Sequence, residues 1–115
     1  MELHVFGDAS EKAYGACVYL KLPFPNGNIK VSLIMCKGKV APIKSMSLPR
    51  LELMSAVLYS RLAKFVLNAL HLNISVFCWT DSTITLSWIK SDPHTWKTFV
   101  RNRVTEIQGL VSSDN

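Results

Sequence analysis

A chain of 115 residues has room for one hydrophobic core and too little for two domains. Apolar residues at 49% and charged residues at 18%, against the ~25% charged content of ordinary soluble domains, exclude disorder and call for a largely buried sheet or helix. Thirteen Lys and Arg against eight Asp and Glu give +5, which favours an anionic partner, nucleic acid before an acidic small molecule.

The first element is a short strand over residues 3–8, and residues 14–22 form a second, rich in β-branched and aromatic side chains. Pro23-Phe24-Pro25-Asn26-Gly27-Asn28 is a dense turn signal, so residues 29–36 close a hairpin onto that strand. Residues 37–47 then read as a loop. Pro49 suits the first position of a helix, and Leu51, Met54, Leu58, Leu62, Phe65 and Ala69 recur at helical spacing, which predicts a core-facing stripe. The nearly unbroken apolar run 74–79 predicts a central strand covered on both faces. Asp81-Ser82-Thr83 offers a cap for a short helix over 83–90, stopped by Ser91-Asp92-Pro93, and a last helix spans 95–108 with Trp96, Val100, Val104 and Ile107 on one face. The order β, β, β, α, β, α, α implies an α/β domain with a mixed sheet.

Cys17, Cys36 and Cys78 are far apart and none lies in a C-x-x-C pair, so they read as reduced core thiols and point to a reducing compartment. The N-terminus has no basic region followed by an apolar stretch, so no signal peptide is expected. The longest apolar segment, 51–70, contains Glu52, Arg61 and Lys64, which argues against a membrane span.

Three carboxylates stand in awkward places: Asp8 at the end of an apolar strand, Glu52 in the first turn of the long helix, Asp81 at the end of the central strand. Each has an ordinary explanation: a turn residue for Asp8, the helix dipole for Glu52, a helix cap for Asp81. With the first and fourth strands adjacent, however, Asp8 and Asp81 lie side by side and the helix brings Glu52 over them. Two carboxylates ~4 Å apart repel by roughly 4 kcal/mol at an effective dielectric of 20, so such a cluster calls for hard divalent cations. An all-oxygen donor set without His or Cys suits magnesium or manganese, and paired ions serve phosphodiester cleavage.

Val5-Phe6-Gly7-Asp8-Ala9-Ser10, Ala13-Tyr14-Gly15-Ala16, Leu48-Pro49-Arg50-Leu51-Glu52-Leu53 and Trp79-Thr80-Asp81-Ser82, in this order, closely resemble the ribonuclease H region of Pao/BEL-type LTR retrotransposon polyproteins. The later Phe99-Val100-Arg101-Asn102-Arg103-Val104 looks similar to the same family. The resemblance implies a ribonuclease H-like mixed sheet, with strands 1 to 3 antiparallel and strand 4 parallel, flanked by helices. It also implies an enzyme that follows reverse transcriptase in the same polyprotein and cuts the RNA strand of RNA/DNA hybrids with two Mg2+ or Mn2+ ions. A cytoplasmic retrotransposon particle is the implied location. Asp8, Glu52 and Asp81 fall on the first three acidic metal ligands of that family.

The family's pattern continues with a fifth strand and a helix carrying a fourth acid, whereas this chain ends at Ser112-Ser113-Asp114-Asn115. The expectation is therefore one ribonuclease H-like domain over 1–115, truncated before the fifth strand and weak or inactive as this fragment. Asp92, Asp114 and His94 are not expected to replace the missing groups; His4 and His71 carry no signal. The segment is also known as a Pao retrotransposon peptidase, but an aspartic peptidase needs paired Asp-Thr/Ser-Gly turns, and neither Asp8 nor Asp81 is followed by that glycine. A nuclease-dead module that holds nucleic acid is the non-catalytic alternative. With three acids committed to metal the remaining surface carries about +8, which suits a phosphate backbone. Arg50, Ser10 and Ser82, beside the acids, are the expected backbone contacts, while Lys37, Lys39, Lys44, Lys97, Arg101 and Arg103 read mainly as solvated surface.

Overall fold

The computed structural model describes residues 1–10, 12–41, 46–80, 82–93 and 98–111. Strands β1 (Glu2–Ala9), β2 (Ala13–Pro23) and β3 (Ile29–Val40) are followed by helix α1 (Leu48–Ala69), strand β4 (Ser75–Trp79) and helices α2 (Thr83–Ile89) and α3 (Thr98–Leu110). The sheet order is β3-β2-β1-β4, with β1 antiparallel to β2, β2 antiparallel to β3, and β4 parallel to β1. This is the mixed sheet expected from the sequence, built from a hairpin pair and one helical crossover.

The alternation of β1 explains how the layers form. Leu3 and Val5 point to one face and are fully buried, as is Val18 on β2, with Val76 nearly so on β4. Helix α1 lies across this face and carries Leu53, Ala56, Tyr59, Ala63 and Val66 into the core. On its other side it meets α3, whose Val100, Val104 and Ile107 are buried. Gln108 ties the α2 end to α3 by donating from Nε2 to the carbonyls of Ile89 (2.7 Å) and Ser91 (2.8 Å).

Several local expectations differ. The third strand does not stop at Cys36 but runs on to Val40, because Lys37 to Val40 pair with Ala16 to Ala13 and so satisfy their backbone groups despite two lysines. Helix α1 begins at Leu48 after Ser47, one residue before Pro49, which leaves Glu52 in its second turn. Of the predicted stripe, Leu51, Leu58 and Leu62 are buried, whereas Phe65 is 57% exposed and Ala69 is also exposed. The helix is packed on two sides, so its buried arc is broader than one stripe and its last turns overhang the core. Strand β4 is an edge strand of the described sheet, not a central one, and only one of its faces is covered: Trp79 is 51% exposed.

The cysteines correct a further expectation. Cys17 and Cys36 are direct cross-strand partners with Cα atoms 4.1 Å apart, and they form a disulfide on the sheet face away from α1; only Cys78 is a free thiol. The antiparallel register of β2 and β3, which residue-by-residue reading does not reveal, brings them together. Three reduced thiols, and with them the sign of a reducing compartment, are therefore not what the fold contains. Burial pushes the Cys78 thiol up to about 11, so little of it is thiolate at neutral pH. Thiol titration should find one reactive group in denaturant without reductant and three after reduction, with slow alkylation of the native protein at pH 8. Three thiols without reductant would contradict the disulfide.

Among the described residues no helix is long and apolar enough to cross a membrane. Lys44, Asp81, His94, Trp96, Lys97 and Asp114 lie outside the described residues.

Candidate active site

Asp8 is exposed and shares its strand face with His4 and Phe6, the face that α1 leaves open. Its Oδ1 accepts a hydrogen bond from the backbone N–H of Ala9 at 2.9 Å, which leaves the other oxygen open to a ligand. Position 81 lies outside the described residues, but the ladder leading to it is clear. Phe6, two residues before Asp8, pairs with Trp79, two residues before Asp81. A cleft of about 430 Å³ is lined there by Phe6, Gly7, Asp8, Trp79 and Thr80.

Glu52 is half-buried on α1 and has no hydrogen bond or ion pair among the described residues. What fixes its position is one turn further on. Ser55 Oγ donates to the carbonyl of Gly15 at 2.7 Å, and Gly15 is the residue paired with Asp8. Gly7 makes this approach possible: a Cβ there would overlap Ser55 Oγ and come within 2.7 Å of Tyr59 Cδ2. The missing side chain thus lets α1 press onto β1 next to Asp8, with Glu52 at the same end of the sheet. Asp8 projects from the open face and Glu52 from the helix on the other, so they approach this end from two layers. Among the described residues no three His, Cys, Asp or Glu groups are close enough to hold an ion; the expected trio includes Asp81 and so is not contained in that set. The available donors, carboxylate oxygens without nitrogen or sulfur, suit a hard divalent cation.

The expected backbone contacts differ in kind. Ser10 is exposed in the β1–β2 turn, where its backbone N–H donates to the Ala13 carbonyl at 2.7 Å. Ser82 is only 8% exposed and caps α2, its Oγ accepting from the Thr85 N–H at 3.1 Å. Arg50 is exposed with its guanidinium carbon 4.9 Å from the centre of the Phe99 ring, and Arg103 approaches the same ring at 4.3 Å. Asp92 stands exposed after α2, as expected for a loop residue.

Sequence reasoning missed a network on the open face. Trp79 Nε1–H donates to His4 Nδ1 at 2.9 Å, and His4 Nε2 lies 3.2 Å from Glu2 Oε1. Hydrogen bonding to His4 and the nearby Lys21 ammonium hold the Glu2 carboxyl below its ordinary value. His4 stacks on Phe77, and Phe6 stacks on Trp79 at 6.1 Å. The two-residue alternation of His4, Phe6 and Asp8 was the signal available; it places all three on one face.

A hairpin-extended antiparallel trio with a parallel fourth strand beside β1, crossed by a long helix, defines a ribonuclease H-like fold. The crystal structure of RNase H1 from the halophilic archaeon Halobacterium salinarum NRC-1 shares this fold, with a TM-score of 0.50 over 98% of this chain and 79% of that one at 13% identity. The Pao retrotransposon-like RNaseH-like domain family matches residues 1–82, and the chain belongs to that family. The matched span contains Asp8, Glu52 and Asp81; the Phe99 to Val104 stretch lies beyond it. No curated protein gives a significant match.

Proposed function

We propose that this domain is a metal-dependent endonuclease that cuts the RNA strand of RNA/DNA hybrids during retrotransposon reverse transcription. The observation that carries the reading is the convergence at one end of the sheet. An exposed Asp8 stands beside the strand that leads to Asp81, and Glu52 is held at the same end by the Ser55–Gly15 hydrogen bond. Asp8, Glu52 and Asp81 are the residues that would hold two Mg2+ or Mn2+ ions. Such ions, when bound, supply charge stabilisation to the attacking and leaving oxygens of a phosphodiester.

The chain's own groups do the rest. The exposed Asp8 offers a free carboxylate oxygen at the open end of the cleft, while half-burial of Glu52 restricts its side chain and limits the entropy lost on ligation. The net charge of +5 favours a polyanion, and the exposed Arg50 and Ser10 are the proposed contacts to its backbone. The proposed partners are the hybrid and the reverse transcriptase domain of the same polyprotein, within a cytoplasmic particle. Residues 1–115 are proposed to form one ribonuclease H-like domain.

The test is hybrid cleavage by the domain expressed within its parent reading frame. Cleavage should require Mg2+ or Mn2+, stop on chelation and return when the ion is restored. The RNA strand alone should be cut. Cleavage that survives chelation would overturn the reading, as would peptide hydrolysis abolished by Asp8→Asn but unaffected by Glu52→Gln.

A further inference from the structure

Two guanidinium groups meet on one aromatic ring where the start of α1 meets α3. Arg50, at the third position of α1, and Arg103, on α3, have their guanidinium carbons 4.9 Å and 4.3 Å from the centre of the Phe99 ring. Phe99 and Arg103 are four residues apart on α3 and so lie on one helix face. The two helices are held together by a buried seam that includes Val100, Val104 and Ile107. The arrangement therefore rests on rigid elements, not on a loop.

Neither Arg50 nor Arg103 makes an ion pair among the described residues. The nearest acid on α3, Glu106, feels Arg103 but gives both carboxylate oxygens to Arg61, at 2.6 Å and 2.7 Å. Glu52, two residues after Arg50, does not pair with it either. The start of α1 adds to the positive potential, since Ser47 provides no side-chain cap and the helix dipole is positive there. A ring that collects two cations holds them in place, while their N–H edges stay free to donate. Two like charges on one ring, neither in an ion pair among the described residues, favour an anion with several acceptor oxygens.

We infer that Arg50 and Arg103, positioned by Phe99, form a two-pronged clamp for the phosphodiester backbone of the nucleic acid at the start of α1. The inference rests on the hybrid-nuclease reading and adds to it a second binding element, contributed by α3 and lying outside the span matched by the family. Each guanidinium forks onto non-bridging phosphate oxygens, and stacking on the ring limits the freedom lost on binding. Because the clamp reads phosphate, it does not distinguish hybrid from DNA duplex.

The test is equilibrium binding of the full chain to a labelled RNA/DNA hybrid and to a DNA duplex, with chelator present so that the substrate stays whole, across a salt series. Arg103→Ala should weaken both complexes roughly tenfold, as loss of one charge-assisted hydrogen bond implies. It should also lower the slope of log affinity against log salt by about one. Arg103→Lys should keep the slope and lose affinity, and Phe99→Leu should do the same, because the charges remain and their placement is lost. A merely structural contact would leave the slope unchanged in all three variants. Unaltered affinity and slope in Arg103→Ala would overturn the clamp even if Asp8→Asn abolished cleavage, and the nuclease reading would then survive alone. Conversely, a clamp confirmed by binding in a protein whose cleavage ignores Asp8→Asn would stand while the nuclease reading fell. Inorganic phosphate competing at no more than the concentration of nucleotide phosphate would assign a free-phosphate site and overturn the proposal.

Discussion

Glu52→Gln is expected to lower hybrid cleavage by about 10²–10³-fold or more in the domain expressed within its parent reading frame, with the fold and hybrid binding retained. The substitution keeps the length of the side chain and removes one negative charge from the donor set. Glu52 makes no hydrogen bond or ion pair among the described residues, so no structural partner is lost with it. The loss therefore falls on transition-state stabilisation, and a factor of that size corresponds to roughly 3–4 kcal/mol of barrier. Asp8→Asn should behave alike, since among the described residues the hydrogen bond to its carboxylate comes from the neighbouring Ala9 N–H, which an amide oxygen can still accept. Asp8→Asn and Glu52→Gln together should cost little more than either alone, because groups that hold the same ions act as a unit. Single-turnover cleavage rates and the same proteins' hybrid affinities separate the two effects. A Glu52→Gln protein that cuts at the unmutated rate would end the metal-ligand assignment of that residue.

The second large effect is expected at Gly7, where the backbone and not a side chain is the functional feature. Gly7→Ala places a methyl group into Ser55 Oγ and within 2.7 Å of Tyr59 Cδ2. Both neighbours belong to the tightly packed middle of α1: Ser55 is 2% exposed and Tyr59 is also 2% exposed. Neither is a flexible surface group that can swing aside, so the helix must move off the sheet. Overpacking of this kind costs about 1–3 kcal/mol, and loss of the Ser55–Gly15 hydrogen bond adds about 1 kcal/mol. The expected sum is a destabilisation of about 2–4 kcal/mol, read as a lower midpoint in denaturant. Gly38→Ala is the control, since a Cβ there meets nothing within 4 Å, and its change should stay within about 0.5 kcal/mol. If the two alanine variants melt alike, the close approach of α1 to β1 is not what positions the site. Because α1 also carries Glu52, Gly7→Ala should impair cleavage beyond what its stability loss explains.

The sequence by itself determined the type and order of the elements and the residues that mark the family. Period-two alternation in the strands, helical spacing after Pro49 and the turn residues before Gly27, whose φ is +86°, are local properties that act through the backbone. The parallel neighbour of β1 followed from the same order, since a strand-helix-strand crossover joins parallel strands. Only the tertiary structure decided what depends on contacts between distant segments. The β2–β3 register put Cys17 against Cys36, and pairing with Ala13 to Ala16 kept Lys37 and Lys39 in a strand that composition reads as a loop. Packing of α1 between sheet and α3 widened its buried arc and left Phe65 outside. The same packing brought Arg50 and Arg103 onto Phe99, and the missing Cβ of Gly7 set the depth at which α1 delivers Glu52. Local pattern encodes the path of each element, whereas register and interhelical contact are fixed by steric and hydrogen-bonding partners that the chain meets only once it is folded.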